Sequence, residues 1–186
     1  MEGFDHFSYL APFYDRALPF TALKTLRRYG GFTGEELVLD AGGGTGRVAS
    51  SIKPFVREVF VADLSRGMLR RAVQKGLASL QTQAEDLPFP NETFDRIFLI
   101  DLLHHVINQA RTSNELWRVL KPDGFIVIEE PDVRRFLVKL IALSERVARM
   151  RSHFLPPLEI TNHFGKLSSK ISVAVEGLNI WIVIKK

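Results

Sequence analysis

The sequence predicts a doubly wound, three-layer α/β sandwich around a mostly parallel seven-stranded sheet. Three observations carry that reading. Short β-rich runs alternate with helical patterns, several of those runs are continuously apolar, and the rhythm changes near the end into two strand-like runs joined by a short turn. Alternation implies strands joined by helical crossovers, and hence a parallel sheet. Continuously apolar strands are what a sheet needs when helices cover both of its faces.

Taken in order, the strand runs are "ELVLDA", "REVFVADL", "ASLQTQ", "FDRIFLIDLL" and "GFIVIEEP". Between them lie helical stretches such as "SRGMLRRAVQKG" and "NQARTSNELWRVLKPDG". The last two runs, "KISVAVEG" and "NIWIVIKK", meet at Gly177 and Leu178 and predict a terminal antiparallel hairpin. Ahead of the first strand, Phe4 to Gly31 reads as helical turns interrupted at Pro19. That segment is too short for a core of its own. The expected organisation is therefore one domain over 1–186, with residues 1–31 as a helical lid or flank and 32–186 as the core. No internal repeat or linker interrupts it.

Composition narrows the chemistry. The 186 residues, 46% hydrophobic and 25% charged, suit one domain with its own core. No run reaches the roughly 20 apolar residues of a membrane span. The opening "MEGFDHFSYL" is acidic and aromatic where a signal peptide is basic and then apolar, so the expected location is cytoplasmic. Without cysteine there are no disulfides, thiolate metal sites or cysteine nucleophiles. The five histidines are scattered, and no metal is expected. The formal charge of +4 permits an anionic partner without requiring one.

In a doubly wound sheet the ligand crevice lies at the carboxyl ends of the strands, and the first strand-to-helix turn brings backbone nearest the ligand. Here that turn is "DAGGGTG". Glycines at 42, 44 and 46 allow positive φ and remove Cβ atoms from the approach. The spacing is G-x-G-x-G, not the G-x-G-x-x-G of a dinucleotide site. Asp40, immediately before the loop, repels a pyrophosphate but suits a ligand carrying positive charge. Asp63 ends the next strand, where a carboxylate can accept both hydroxyls of a ribose. The alternative for Asp63 is a partner to the helix N-terminus that Ser65 can also cap.

These residues carry a family resemblance. "LVLDAGGGTG", "VFVADLSRGMLRRA", "QAEDLPFPNETFD" and "LWRVLKPDGFIVIEE" resemble the ordered motifs of the class I S-adenosylmethionine-dependent methyltransferases, in the ubiquinone/menaquinone C-methyltransferase-like group of small-molecule enzymes. The resemblance covers roughly Phe4 to Pro131. It implies a Rossmann-like fold, S-adenosylmethionine as cofactor and S-adenosylhomocysteine as product. It puts Asp40, Gly42, Gly44, Thr45 and Gly46 around the amino-acid moiety, Asp63 on the ribose, and Leu64 and Met68 beside the adenine. Gln83 stands where relatives usually carry Asp or Asn, and its carbonyl oxygen can still accept from the adenine amino group. Ala84, Glu85 and Ile100 complete that rim.

Methyl transfer needs positioning more than a covalent partner. Base candidates follow the fourth strand in "IDLLHHV": Asp101, then His104 and His105, of which at most one reaches the cleft because adjacent residues cannot face the same way; His104 is taken as the candidate for its near-neutral imidazole. Tyr14, in "APFYD", matches the tyrosine of the family's amino-terminal pattern and can close over the substrate. For His104 and Tyr14 the competing reading is packing. The expected acceptor is a small molecule, lipophilic or quinone-like. An RNA methyltransferase and a non-catalytic binder of S-adenosylmethionine stay open as alternatives. DNA is disfavoured because "DLLH" replaces the adenine-methylating motif and cysteine is absent. A basic helix over 133–151 offers a surface for RNA or an anionic membrane, although an ordinary solvated face is favoured there. Oligomeric state is not legible.

Overall fold

The structure is a computed structural model that describes residues 6–135, 138–139, 154–168 and 170–186. Its sheet has seven strands: β1 (Leu37–Ala41), β2 (Glu58–Asp63), β3 (Ala78–Gln81), β4 (Phe94–Ile100), β5 (Leu120–Pro131), β6 (Lys170–Glu176) and β7 (Asn179–Lys185). Their order is β3-β2-β1-β4-β5-β7-β6. The first five strands pair in parallel, and β7 runs antiparallel to both β5 and β6. The order reverses at β1, so β1 and β4 diverge to opposite halves and leave the crevice of a topological switch point between their carboxyl ends.

The helices are α1 (His6–Ala17), α2 (Leu23–Gly30), α3 (Arg47–Ile52), α4 (Arg66–Gln74), α5 (Gln109–Val119) and α6 (Pro157–Gly165). Short 3₁₀ turns occupy Lys53–Phe55 and Leu103–His105. Most of the basic helix expected over 133–151 lies outside the described residues.

Two apolar clusters explain the near-continuous strand runs. One face of the sheet buries Leu39, Leu99, Ile126, Ile128 and Ile182 against Leu116 and Val119 of α5 and Ile160 and Phe164 of α6. The other buries Val38, Val61, Phe98, Ile100 and Val127 against Leu26 of α2, Ala49 and Ile52 of α3, and Leu69 and Ala72 of α4. Complete burial of one such side chain contributes about 1.5–3 kcal/mol. Both faces need that contribution, so neither can be polar.

Asp101 breaks the strand geometry where β4 ends. Its φ is +60°, in the left-handed region that Asp tolerates better than most residues. Its N–H still donates to the Glu129 carbonyl at 2.9 Å. The chain therefore turns off the sheet abruptly, which carries the following loop across the strand ends.

Candidate active site

One cavity lies at the carboxyl ends of β1, β2 and β4. Its floor is the glycine loop. Gly42 and Gly43 donate to the Ala62 carbonyl at 2.7 and 3.3 Å, which ties the start of the loop to β2. The glycines then divide by purpose. A Cβ on Gly42 collides with Leu102, and one on Gly46 collides with Leu77, so these two make room for the protein's own packing. Gly44, at φ +55°, faces the cavity, and a Cβ there meets only Asp63 Oδ2 at 3.8 Å. Gly42, Gly43 and Gly44 all line the cavity, and of these Gly44 has open space beside it.

Asp63 is held at that point by two backbone donors. Gly44 N–H reaches its Oδ2 at 2.9 Å and Ser65 N–H its Oδ1 at 2.7 Å. Ser65 itself caps α4 by accepting from Met68 N–H at 3.4 Å. Asp40 is buried behind the loop and accepts from Ala49 N–H at 3.1 Å. Burial pushes its carboxyl up to about 7, and the Ala49 N–H and the Arg47 charge only partly oppose that.

Leu64, Met68, Gln83, Ala84 and Glu85 all line the same cavity, as does Ile100. Glu85 does more than form a rim. Its Oε1 accepts from Ile107 N–H at 2.9 Å and Asn108 N–H at 3.2 Å, which fixes the far end of the loop after β4.

The near end of that loop is fixed by Glu130 of β5. Its Oε1 accepts from Leu102 N–H at 3.0 Å and Leu103 N–H at 2.6 Å, while Oε2 sits 2.5 Å from His104 Nδ1. His104 is 3% exposed and stacks on Phe154, with ring centroids 4.2 Å apart. Its ring therefore points into the protein and does not line the cavity. His105 lines it instead, which corrects the preference for His104 drawn from sequence. The reason is tertiary: Glu130, 26 residues away, captures the first ring and leaves the second to the crevice. Burial, reinforced by His104 alongside, pushes the His105 imidazole down to about 3.

Thr45 and Gly46 also stand outside the cavity wall. The Thr45 hydroxyl donates to Asp15 of α1, and Lys75 bridges Asp15 and the Thr45 carbonyl. Two further ties hold α1 along α4: Gly67 N–H to Ser8 Oγ at 3.1 Å and the Arg71 guanidinium to the Pro12 carbonyl at 3.2 Å. That arrangement places Tyr14 in the cavity wall. Burial raises the Tyr14 hydroxyl above its ordinary value, opposed by Arg47.

Arg47 is the residue that sequence reasoning missed. It opens α3 directly after the glycine loop and lines the cavity, 3.9 Å from the Asp101 carboxylate and 5.9 Å from the Tyr14 ring. Its position after a glycine turn at a helix start was the available signal. Behind Asp101, the buried Glu129 carboxyl is pushed up to about 7 by burial and by Asp101, while Arg47 and Asn179 pull it back. Among the described residues, no group of three or more His, Asp or Glu side chains could hold a metal, and no helix is long and apolar enough to cross a membrane.

Residues 39–128 match a family model described as a methyltransferase domain. Over 104 residues the chain is 42% identical to the ubiquinone/menaquinone biosynthesis C-methyltransferase UbiE of Coxiella burnetii, covering 50% of this chain and 42% of that one. Over 158 residues it is 30% identical to the uncharacterized methyltransferase YcgJ of Bacillus subtilis, covering 79% and 54%. The chain thus spans about half the length of the curated relatives it matches. Among solved structures it resembles TM1293 of Thermotoga maritima, described as a possible histamine N-methyltransferase, with a TM-score of 0.83, 20% identity and coverage of 97% and 98%. PH0226 of Pyrococcus horikoshii gives a TM-score of 0.77 at 21% identity, covering 98% and 99%.

Proposed function

We propose that this chain, a class I methyltransferase by its fold and by the methyltransferase domain at residues 39–128, uses S-adenosylmethionine to methylate a small-molecule acceptor. The observation that carries the reading is the Gly44–Asp63 cradle, where open backbone and a doubly held carboxylate meet at the switch point. S-adenosylmethionine supplies an electrophilic methyl on a sulfonium, and its net positive charge suits a cavity that places Asp40, Asp63 and Asp101 around one arginine.

Asp63 is the ribose partner in this reading, because the N–H groups of Gly44 and Ser65 fix its orientation before a ligand arrives. Gly44 and Asp40 serve the amino-acid end. Leu64, Met68, Gln83 and Ala84 serve the adenine. Tyr14, Arg47, Asp101 and His105 are left for the acceptor. With its imidazole pushed down to about 3, His105 is neutral near pH 7 and a poor base. It orients the acceptor by hydrogen bonding. Asp101 accepts the acceptor's proton, and the Arg47 guanidinium beside it favours the oxyanion that remains. Tyr14 and α1 exclude water from that exchange.

The C-methyltransferase among the relatives and the apolar wall formed by Ile100, Leu102 and Val106 favour a hydroxylated aromatic ring, as in a quinol, whose deprotonated hydroxyl activates the adjacent ring carbon to take the methyl and then release its own proton to solvent. Calorimetry with S-adenosylhomocysteine is the first test, with saturable one-to-one binding expected. Mass spectrometry of a hydroquinone panel incubated with S-adenosylmethionine is the second. Failure to bind S-adenosylhomocysteine rejects the whole reading. Binding without methylation of any quinol rejects the acceptor class.

A further inference from the structure

We propose that the outer surface of the α1–α4 helix pair docks on an anionic lipid bilayer beside the mouth of the cavity. The two helices are joined along their length by three contacts, Ser8 with Gly67, Pro12 with Arg71 and Asp15 with Lys75. Those contacts fix which residues are left outside. On α4 they include Arg66, Arg70 and Val73, and on α1 Phe13 and Arg16.

Charge on this surface is one-sided. Helix α4, "RGMLRRAVQ", contains no acidic residue, and Lys75 follows it directly. The acidic residue of α1 described here, Asp15, is turned into the pair with Lys75 and the Thr45 hydroxyl. Among the described residues of the two helices, an anionic surface thus meets Arg16, Arg66 and Arg70, and the one carboxylate, Asp15, is already paired with Lys75. Each such residue near an anionic leaflet contributes favourably, and the attraction is screened within a Debye length.

Apolar exposure selects lipid over nucleic acid. Phe13 is 71% exposed and Val73 59%, both on the same helix pair as the arginines. At the cavity mouth, Leu64 and Ile107 are 61% and 83% exposed while still lining the cavity. Aliphatic side chains gain nothing from a phosphate backbone. They gain free energy by leaving water when they enter the headgroup and acyl boundary. A basic surface carrying exposed apolar side chains is the combination that interfacial binding requires. Docked this way, the cavity mouth opens beside the bilayer, from which a lipophilic acceptor can enter without crossing water. The docking itself does not depend on the acceptor's identity.

Vesicle flotation of the full chain tests this, using phosphatidylcholine alone and phosphatidylcholine with phosphatidylglycerol. Binding is expected only to the second, and it should disappear at high salt. The double variant Arg66→Gln/Arg70→Gln should lower vesicle affinity roughly thirtyfold, at about 1 kcal/mol per arginine. Phe13→Ser should weaken it in addition, and both variants should keep S-adenosylhomocysteine affinity, which controls for folding. Equal behaviour toward the two vesicle types overturns the proposal. So does a preference for single-stranded RNA over anionic vesicles that Phe13→Ser leaves unchanged. Because none of these measurements requires turnover, their failure is distinct from failure of the methyltransferase reading.

Discussion

The Glu130 carboxylate holds His104 Nδ1 at 2.5 Å and, through its other oxygen, the N–H groups of Leu102 and Leu103. One side chain thus satisfies three donors of the loop that carries Asp101 and His105. Glu130 and His104 are both almost fully buried, so breaking their pair leaves a polar group without water. His104→Gln should lower stability by about 1–3 kcal/mol, the usual cost of leaving a buried polar group short of its partner. Turnover per folded molecule should survive. Urea denaturation and single-turnover rates on the same preparation separate the two effects, and a large rate loss at unchanged stability would return His104 to the chemistry.

Asp63→Ala should weaken S-adenosylhomocysteine more than tenfold. The substitution removes a charged acceptor whose hydrogen bonds are worth about 1.5–3 kcal/mol each, and it frees the Gly44 and Ser65 N–H groups. Calorimetry on a variant shown by circular dichroism to be folded provides the measurement. Unchanged affinity removes Asp63 from the ribose.

Asp40 gives the pH dependence a definite sign. Burial raises its carboxyl from 3.8 to about 7, so the folded chain holds a proton that the unfolded chain releases above about 4. Its contribution to stability is complete below that lower value and is lost as pH rises through about 7. Glu129, also raised to about 7, acts in the same direction. Asp40→Asn should flatten this part of the stability profile. A cationic ligand beside Asp40 favours its ionised form, so S-adenosylmethionine binding at pH 6 should release protons, detected as an enthalpy that changes with buffer. No buffer dependence means the positive end of the ligand lies elsewhere.

Asp15 latches α1 to both Thr45 and Lys75. Asp15 and Lys75 are partly exposed, and a surface ion pair is worth only about 0–1 kcal/mol. Asp15→Ala should therefore change S-adenosylhomocysteine affinity little, while opening α1 and speeding ligand exchange. Stopped-flow displacement should show a faster off-rate. An unchanged off-rate would mean that α1 is a fixed wall and not a lid.

Every strand of the sheet, the terminal hairpin and the glycine turn were legible in the sequence, because each is written in a local pattern. Apolar runs, turn residues and a G-x-G-x-G spacing need no distant partner to be read. Asp40, Gly44 and Asp63 were legible for the same reason: a strand end followed by a turn fixes where such residues stand. Tertiary structure decided which neighbour each side chain keeps. Glu130 draws His104 inward and leaves His105 in the cavity wall; Asp15 draws the Thr45 hydroxyl away toward α1; Leu102 and Leu77 fill the space that Gly42 and Gly46 leave. Arg47 became part of the site only because Tyr14 and Asp101, 33 residues before it and 54 after it in the chain, meet it at the strand ends. Pairings across such separations depend on the closed sheet, and no local periodicity encodes them.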